Sequence, residues 1–287
     1  NQQLDIVLRD GVELNEVNIV TRKLGTMKLR SSVMNEDMIS SAELSRAACC
    51  NLGESFVTNP SVDVSYSDAA TGAKQIKLLG LSGTYVQMLT ENIPNYRGAA
   101  APYGLGYVPG PWMQSIQVSK GTSSVKNGYE AITGQINVEF KKPQLPEADW
   151  VSANLFASTT NRYEANADAT LKLSKRWSTS LLAHYENETK AHDGNDDGFV
   201  DIPQVEQYNV WNRWAYMGDH YVFQAGIKAL SETRTSGQAN HGGTMHSGDL
   251  YKVGIDTERY EFFTKNAYIF NKEKNTNLAL ILSTTLH

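Results

Sequence analysis

Residues Asp193 to Gln204 place side-chain oxygens at positions 1, 3, 5 and 9 of a twelve-residue run: Asp193, Asn195, Asp197 and Asp201, with Gly198 at position 6. This spacing suits calcium, a hard cation that takes six to eight oxygens, and the glycine allows the sharp turn that aims alternate residues at one point. The backbone carbonyl of Phe199 would be a further ligand. Position 12 is Gln204 rather than a bidentate glutamate, which points to weak binding, about 10⁻⁴–10⁻³ M. The competing reading is a solvated acidic loop. A second set of donors is soft: the adjacent pair Cys49-Cys50, and His241, Met245 and His246 in one polar stretch. Thioether, thiol and imidazole together suit copper, whereas the ordinary reading of the cysteines is small buried residues after a helical run.

Other chemistries fail on context. Gly121, Gly128 and Gly134 are not followed by Gly-Lys-Thr and lie in no strand–helix unit, so they read as turns rather than a phosphate cradle. No Gly-x-Ser-x-Gly or His-Glu-x-x-His is present, and no catalytic constellation is expected. Lys and Arg number 26 against 31 Asp and Glu. The resulting charge of −5 gives no footing on a nucleic-acid backbone.

The elements that must carry these residues divide the chain in two. Both cysteines precede the Pro143–Pro146 linker, while all six histidines and four of the five tryptophans follow it. Beyond the linker, strict alternation recurs. Tyr163, Ala165, Ala167, Ala169 and Leu171 oppose Glu164, Asn166, Asp168, Thr170 and Lys172, and the runs from Trp177 and from Tyr221 repeat the pattern. About seven strands of 10 to 13 residues are expected, near 150–159, 163–173, 177–185, 206–217, 221–229, 258–270 and 276–286. That is longer than an ordinary strand of about 5–6 residues and close to the roughly 9–11 that cross a bilayer at a tilt. Aromatic residues at the strand ends (Trp150, Tyr163, Trp177, Tyr185, Trp214, Tyr216, Tyr221) and connections alternating between short (174–175, 218–219) and long (187–204, 231–257) match a transmembrane barrel. A soluble β-sandwich is the alternative.

Before the linker, short β-type runs surround one helical stretch at about Ser41–Cys50. Five segments there carry a family likeness: Val17-Asn18-Ile19-Val20-Thr21; Leu52-Gly53-Glu54-Ser55-Phe56 through Asn59-Pro60-Ser61-Val62-Asp63-Val64; Ile76 to Leu81; Val86 to Pro94; and Pro111 to Ser124 continuing in Gly128 to Val138. In this order they resemble the plug domain of TonB-dependent outer-membrane receptors, Bacteroidetes-type. Leu79, Asn92, Asn127 and Gln135 depart from the family pattern, so ion pairs usual at those points are not carried over. The resemblance implies a mainly β chain: residues 1–14 as the tail of a preceding small β-domain, 15–146 as a globular α+β plug, and 147–287 as the first strands of a barrel of about 22. Seven strands cannot close, and an open edge is forbidden in hydrocarbon. The chain therefore reads as a fragment of a longer one.

The resemblance further implies a non-enzymatic receptor in the outer membrane of a Gram-negative cell, its plug in the barrel lumen, in contact with lipids, the energising TonB complex and, in some relatives, a surface lipoprotein. The cargo would be a scarce nutrient, a metal ion or a metal chelate such as a siderophore, with copper, cobalamin, haem and glycans as alternatives. The other function classes are a passive porin and a calcium-dependent surface binding protein. No TonB box is recognisable, so coupling is implied by family alone. Two plug loops would face substrate: Gly80–Thr84, with Ser82, and Asn95–Pro111, where Tyr96, Arg97, Tyr103 and Tyr107 stand among small residues. Aromatic faces with one cation suit a bulky, partly anionic ligand; the ordinary reading is tyrosines packed on the barrel wall.

Overall fold

In the computed structural model, the described residues are 27–28, 35–46, 50–57, 59–81, 83–122, 128–144, 150–239, 250–271 and 276–287. Residues 1–14, the segment Val17–Thr21 and the domain boundary near 146 lie outside them. Among the described residues, no helix is long and apolar enough to cross a membrane.

The N-terminal unit contains β1 (Met27–Lys28), β2 (Asn35–Ser40), helix α1 (Ser41–Arg46), β3 (Val62–Asp68), β4 (Ala73–Leu78), β5 (Val86–Thr90), β6 (Ile93–Pro94), β7 (Met113–Lys120) and β8 (Gly134–Phe140). Six of these strands form a mixed sheet in the order β1-β2-β7-β8-β5-β6, and β3-β4 is a separate hairpin. Only the β5–β8 pair is parallel, with Val86 opposite Gly134 and Thr90 opposite Val138. Helix α1 lies within the expected stretch, of which residues 47–49 are outside the described residues, and β2 and β3 were not expected. β2 carries Asn-Glu-Asp at its start, poor strand formers that are held by the ladder to β7. The interior is conventional: Ile39, Leu52, Leu78, Leu89, Trp112, Ile116, Ile136 and Phe140 are fully buried.

The C-terminal unit is one antiparallel meander: β9 (Val151–Ala157), β10 (Tyr163–Lys172), β11 (Trp177–Glu188), β12 (Gln204–Met217), β13 (Tyr221–Gly237), β14 (Lys252–Asn271) and β15 (Thr276–Leu286). The seven expected strands are present. The expected loop 231–257 is corrected: β13 runs on to Gly237 and β14 starts at Lys252, their ladder continuing to the last pair. Polar residues there still pair their backbones, because a neighbouring strand satisfies them regardless of side chain.

The side chains of this sheet are inverted relative to a soluble domain. Facing the N-terminal unit and buried are Glu164, Asn166, Asp168, Ser178, Ser180, His184, Glu186, Gln207, Asn209, Arg213, Lys228, Glu232 and Arg259. Exposed on the outer side are Leu155, Leu171, Leu181, Val210, Ile227 and Phe262. A soluble sandwich would bury the second set and expose the first; only a hydrocarbon solvent outside makes this arrangement favourable. Rings cluster at the two ends of the strands. Trp177 stacks with Tyr216 at 5.1 Å and Phe223 at 6.1 Å near the short turns, and Tyr185 with Tyr208 at 4.9 Å near the long connections. The tight turn at Ser174 is held by its hydroxyl, which accepts from the amides of Arg176 and Trp177.

Candidate functional site

The plug meets the wall through buried polar contacts arranged along the strands. Nearest the short turns, the β5–β6 turn residue Glu91 is gripped by two wall cations: Arg213 Nη2 at 2.5 Å and Lys265 Nζ at 3.7 Å. Burial pushes the Glu91 carboxyl up, but Arg213, Lys265 and Lys142 outweigh it and hold the group below the usual carboxylate range. Midway, Asn95 donates to Glu261 at 2.8 Å, and Lys228 donates to the Tyr107 carbonyl at 3.1 Å and the Tyr96 hydroxyl at 3.3 Å. Apolar wall residues Leu182, Trp211 and Leu230 join the plug core. Trp211 packs edge-on to Phe140 at 4.5 Å, and Arg213 lies over the Trp211 ring at 4.5 Å. Gly226 makes room there, since a Cβ would stand 2.5 Å from Phe263 and 2.7 Å from Trp211.

Towards the long connections the β3–β4 hairpin rises to the rim. Its turn is built by Asp68, whose carboxylate accepts from the Ala70 amide at 3.0 Å and the Thr71 hydroxyl at 2.6 Å. Gly72, at φ +71, touches Pro203 so closely that a Cβ would lie 2.9 Å from its ring. Below the hairpin, between plug and wall, is a cavity of about 370 Å³ lined by Tyr66, Lys74, Tyr103, Arg162, Glu188 and Arg234 among others. Arg162 holds three carboxylates: Glu54 of the plug at 3.0 Å, Glu164 at 2.7 Å and Glu186 at 3.1 Å. Glu54 is positioned locally, its oxygens accepting from the Cys50 amide and the Asn51 side chain at the start of the turn Leu52–Phe56. Arg234 is paired with Glu232 at 3.1 Å and stacks on Tyr103 at 5.2 Å.

The expected substrate residues fall in different places. Tyr96 and Tyr107 are buried against the wall, so the reading that they offer an outward surface is corrected; the packing alternative describes them. Burial pushes the Tyr107 phenol up to about 12 and Tyr96 well above its ordinary value, which keeps both neutral. Tyr103 does line the rim cavity. Arg97 is half exposed, paired with Glu130 at 2.7 Å, and borders a second cavity of about 420 Å³ on the other side of the plug. Ser82 lies outside the described residues, between exposed Leu81 and Gly83.

Of the soft donors, Cys49, His241, Met245 and His246 lie outside the described residues. Cys50 is free and buried. Burial and then the neighbouring Glu164 push its thiol up. In the acidic loop, Asp193 accepts from the amides of Asp197 at 3.2 Å and Gly198 at 2.7 Å, Asp197 from Phe199 at 2.8 Å, and Asp201 from Gly194 at 2.7 Å. The loop is thus wound around its own carboxylates. Gln204 donates instead to the Thr189 carbonyl, away from them. Among the described residues, no group of three or more His, Cys, Asp or Glu forms a metal cluster.

Sequence reading missed the hairpin tip, Lys74, Arg162 and Glu91. The Asp-Ala-Ala-Thr-Gly turn at 68–72 was a usable signal for the hairpin. Nothing local marks Glu91, whose partners Arg213 and Lys265 are distant in sequence, or the reach of Arg162 to Glu54 of the plug.

A strand wall with an apolar outer face and ion pairs on its inner face, curved around a globular plug, is the arrangement of a plugged outer-membrane barrel. Residues 28–135 match the TonB-dependent receptor plug domain, and the strands that follow this plug are arranged like the opening strands of an outer-membrane barrel. The chain is 24% identical over 185 residues to the vitamin B12 transporter BtuB of Vibrio vulnificus, covering 64% of this chain and 30% of that protein. It shares its fold with the ferric-catecholate import receptor Fiu of E. coli K12 (TM-score 0.66, 17% identity, 88% of this chain and 38% of that one). The copper transporter OprC is comparable (TM-score 0.67, 13% identity, 87% and 36%). The chain spans about a third of the length of these relatives.

Proposed function

We propose that the full-length protein is an active importer, drawing a scarce metal-containing nutrient across the outer membrane with energy delivered by the TonB complex. The observation that carries this reading is the stoppered lumen. The polar inner face of the strands is occupied by plug groups through buried ion pairs such as Glu91–Arg213, and a passive pore gains nothing from filling its own channel. Opening a route past the plug requires breaking these contacts, and a buried pair separated from its partner costs about 3–5 kcal/mol. External work delivered by the TonB complex would break these contacts in each cycle of import.

The cargo is a metal ion or chelate, in keeping with relatives named for cobalamin, ferric catecholate and copper. The acidic loop is assigned a supporting role: calcium at Asp193, Asn195, Asp197, Phe199 and Asp201 would order the segment that ends at Pro203 over the hairpin. Its already wound form favours this, because little loop entropy remains to be lost on binding.

The test is uptake by cells expressing the full-length chain with and without a functional TonB complex, offered labelled iron chelates, copper and cobalamin in turn. Accumulation of one cargo only in the TonB-competent cells is the expected result. Equal accumulation in both backgrounds would overturn the importer in favour of a porin.

A further inference from the structure

We propose that Asn95 of the plug and Lys228 of the wall become joined by an isopeptide bond, formed in the folded protein without a second enzyme and with Glu261 as the acid–base group. The bond fastens one point of the stopper to the barrel covalently, whatever the cargo.

A nucleophile, an acyl group and a proton carrier meet at the middle of the plug–wall seam. Lys228 of β13 and Asn95, in the loop that follows β6, are both buried. They share one carboxyl group: Lys228 Nζ lies 3.6 Å from Glu261 Oε1, and Asn95 Nδ2 donates to Glu261 Oε2 at 2.8 Å. The residue next to Asn95 steadies the ammonium, since Lys228 Nζ donates to the Tyr96 hydroxyl at 3.3 Å. The other contacts of the carboxamide polarise it. Its oxygen accepts from the Tyr96 amide at 2.8 Å and from Arg259 Nη2 at 2.5 Å, two donors placed to stabilise a developing oxyanion. Its nitrogen also donates to the Thr90 hydroxyl at 3.1 Å, which fixes the group that must leave. Arg259 Nε holds Glu261 Oε1 at 2.8 Å, so the carboxyl cannot swing away from its two partners.

The atoms balance without an oxidant or reductant. A proton passes from the Lys228 ammonium to Glu261, which frees the nitrogen lone pair. Nζ bonds to Asn95 Cγ, and the carbonyl π electrons move onto Oδ1 under the Tyr96 amide and Arg259. Glu261 returns its proton to Nδ2, the Cγ–Nδ2 bond breaks, and the carbonyl re-forms as ammonia departs. The second proton lost from Nζ passes to the carboxylate and leaves with the ammonia as ammonium. A cavity of about 40 Å³ borders Asn95, Tyr96, Lys228 and Glu261. A water-sized molecule needs about 10–15 Å³, so the released ammonia has a place to go. Holding the reacting groups side by side in the folded protein removes the entropic part of the barrier. A plug fastened in this way can rearrange within the lumen but cannot be withdrawn from it whole.

The experiment uses the full-length protein purified in detergent, digested with trypsin and read by mass spectrometry. The expected product is a linked pair of peptides joining Asn95 to Lys228, lighter than the two together by one ammonia, about 17 Da, and uncut after Lys228. Glu261→Gln keeps both partners but removes the acid–base group, and Lys228→Arg keeps the charge but removes the nucleophile. In each variant the linked pair should be lost and the separate peptides recovered at full mass. Separate, full-mass Asn95 and Lys228 peptides from the wild-type protein overturn the proposal. So does a loss of ammonia with no linked pair, or a linked pair that survives in Lys228→Arg. Should the variants not fold, the wild-type peptides decide alone.

Discussion

The two halves of this chain solve opposite solvent problems with the same backbone. In the plug, Ile39, Trp112, Ile116, Ile136 and Phe140 turn inward and the polar residues face out, as water requires. In the wall, Glu164, Asn166, Arg213 and Lys228 turn inward while Leu171, Leu181 and Ile227 face out. Their meeting surface is therefore polar to an unusual degree, and its specificity is electrostatic. A surface of paired charges can be separated and re-formed without leaving apolar area exposed in the lumen, which is what a movable stopper needs. The apolar contribution of the wall to the shared core comes from Leu182, Trp211, Leu230 and Phe263, with Trp211 meeting Trp112 and Phe140 of the plug.

Breaking the comparison at its strongest contact should have the largest effect. Glu91→Ala leaves Arg213 buried and without its carboxylate, and the plug–wall association should weaken by about 3–5 kcal/mol, measured as plug release in a denaturant titration of the full-length protein. Next comes the solvent argument. Leu181→Arg places a charge on the lipid face in mid-strand and should cost about 2–4 kcal/mol in reversible folding into vesicles. A soluble sandwich would tolerate this exposed substitution with little change.

Acid sharpens the same contrast. Since the native Glu91 carboxyl is held below its unfolded value, near 4.3, its contribution is complete above that pH and is lost as pH falls through the native value. Plug release should therefore become easier on acidification below about pH 4.3, and Glu91→Gln should remove that portion of the pH dependence. The smallest effect is at the rim. Calcium at about 10⁻⁴–10⁻³ M should slow proteolysis within residues 193–204, and Asp197→Ala should abolish the protection with little change in global stability.

The strand count and the two-sided character of the wall were legible because an alternation of period two is a local property. Tyr163 to Leu171 states which residues share a face before any partner is known. The plug was legible as a resemblance, and β2, whose Asn-Glu-Asp start argues against a strand, was not. The substrate tyrosines show where local reading stops. Tyr96, Tyr103 and Tyr107 sit in one loop with similar neighbours, yet only Tyr103 lines the rim cavity, because Lys228 and Asn209 of the wall take up the loop around Tyr107.

What the sequence by itself determined, then, is the pattern of faces: alternation, strand length, turn residues and aromatic ends each follow from a few adjacent side chains. Which face meets lipid and which tyrosines are buried were decided only by the tertiary structure. Burial and ion pairing are properties of residues brought together from distant parts of the chain, as Glu54 with Arg162 and Glu91 with Arg213 are. No local pattern encodes that distance.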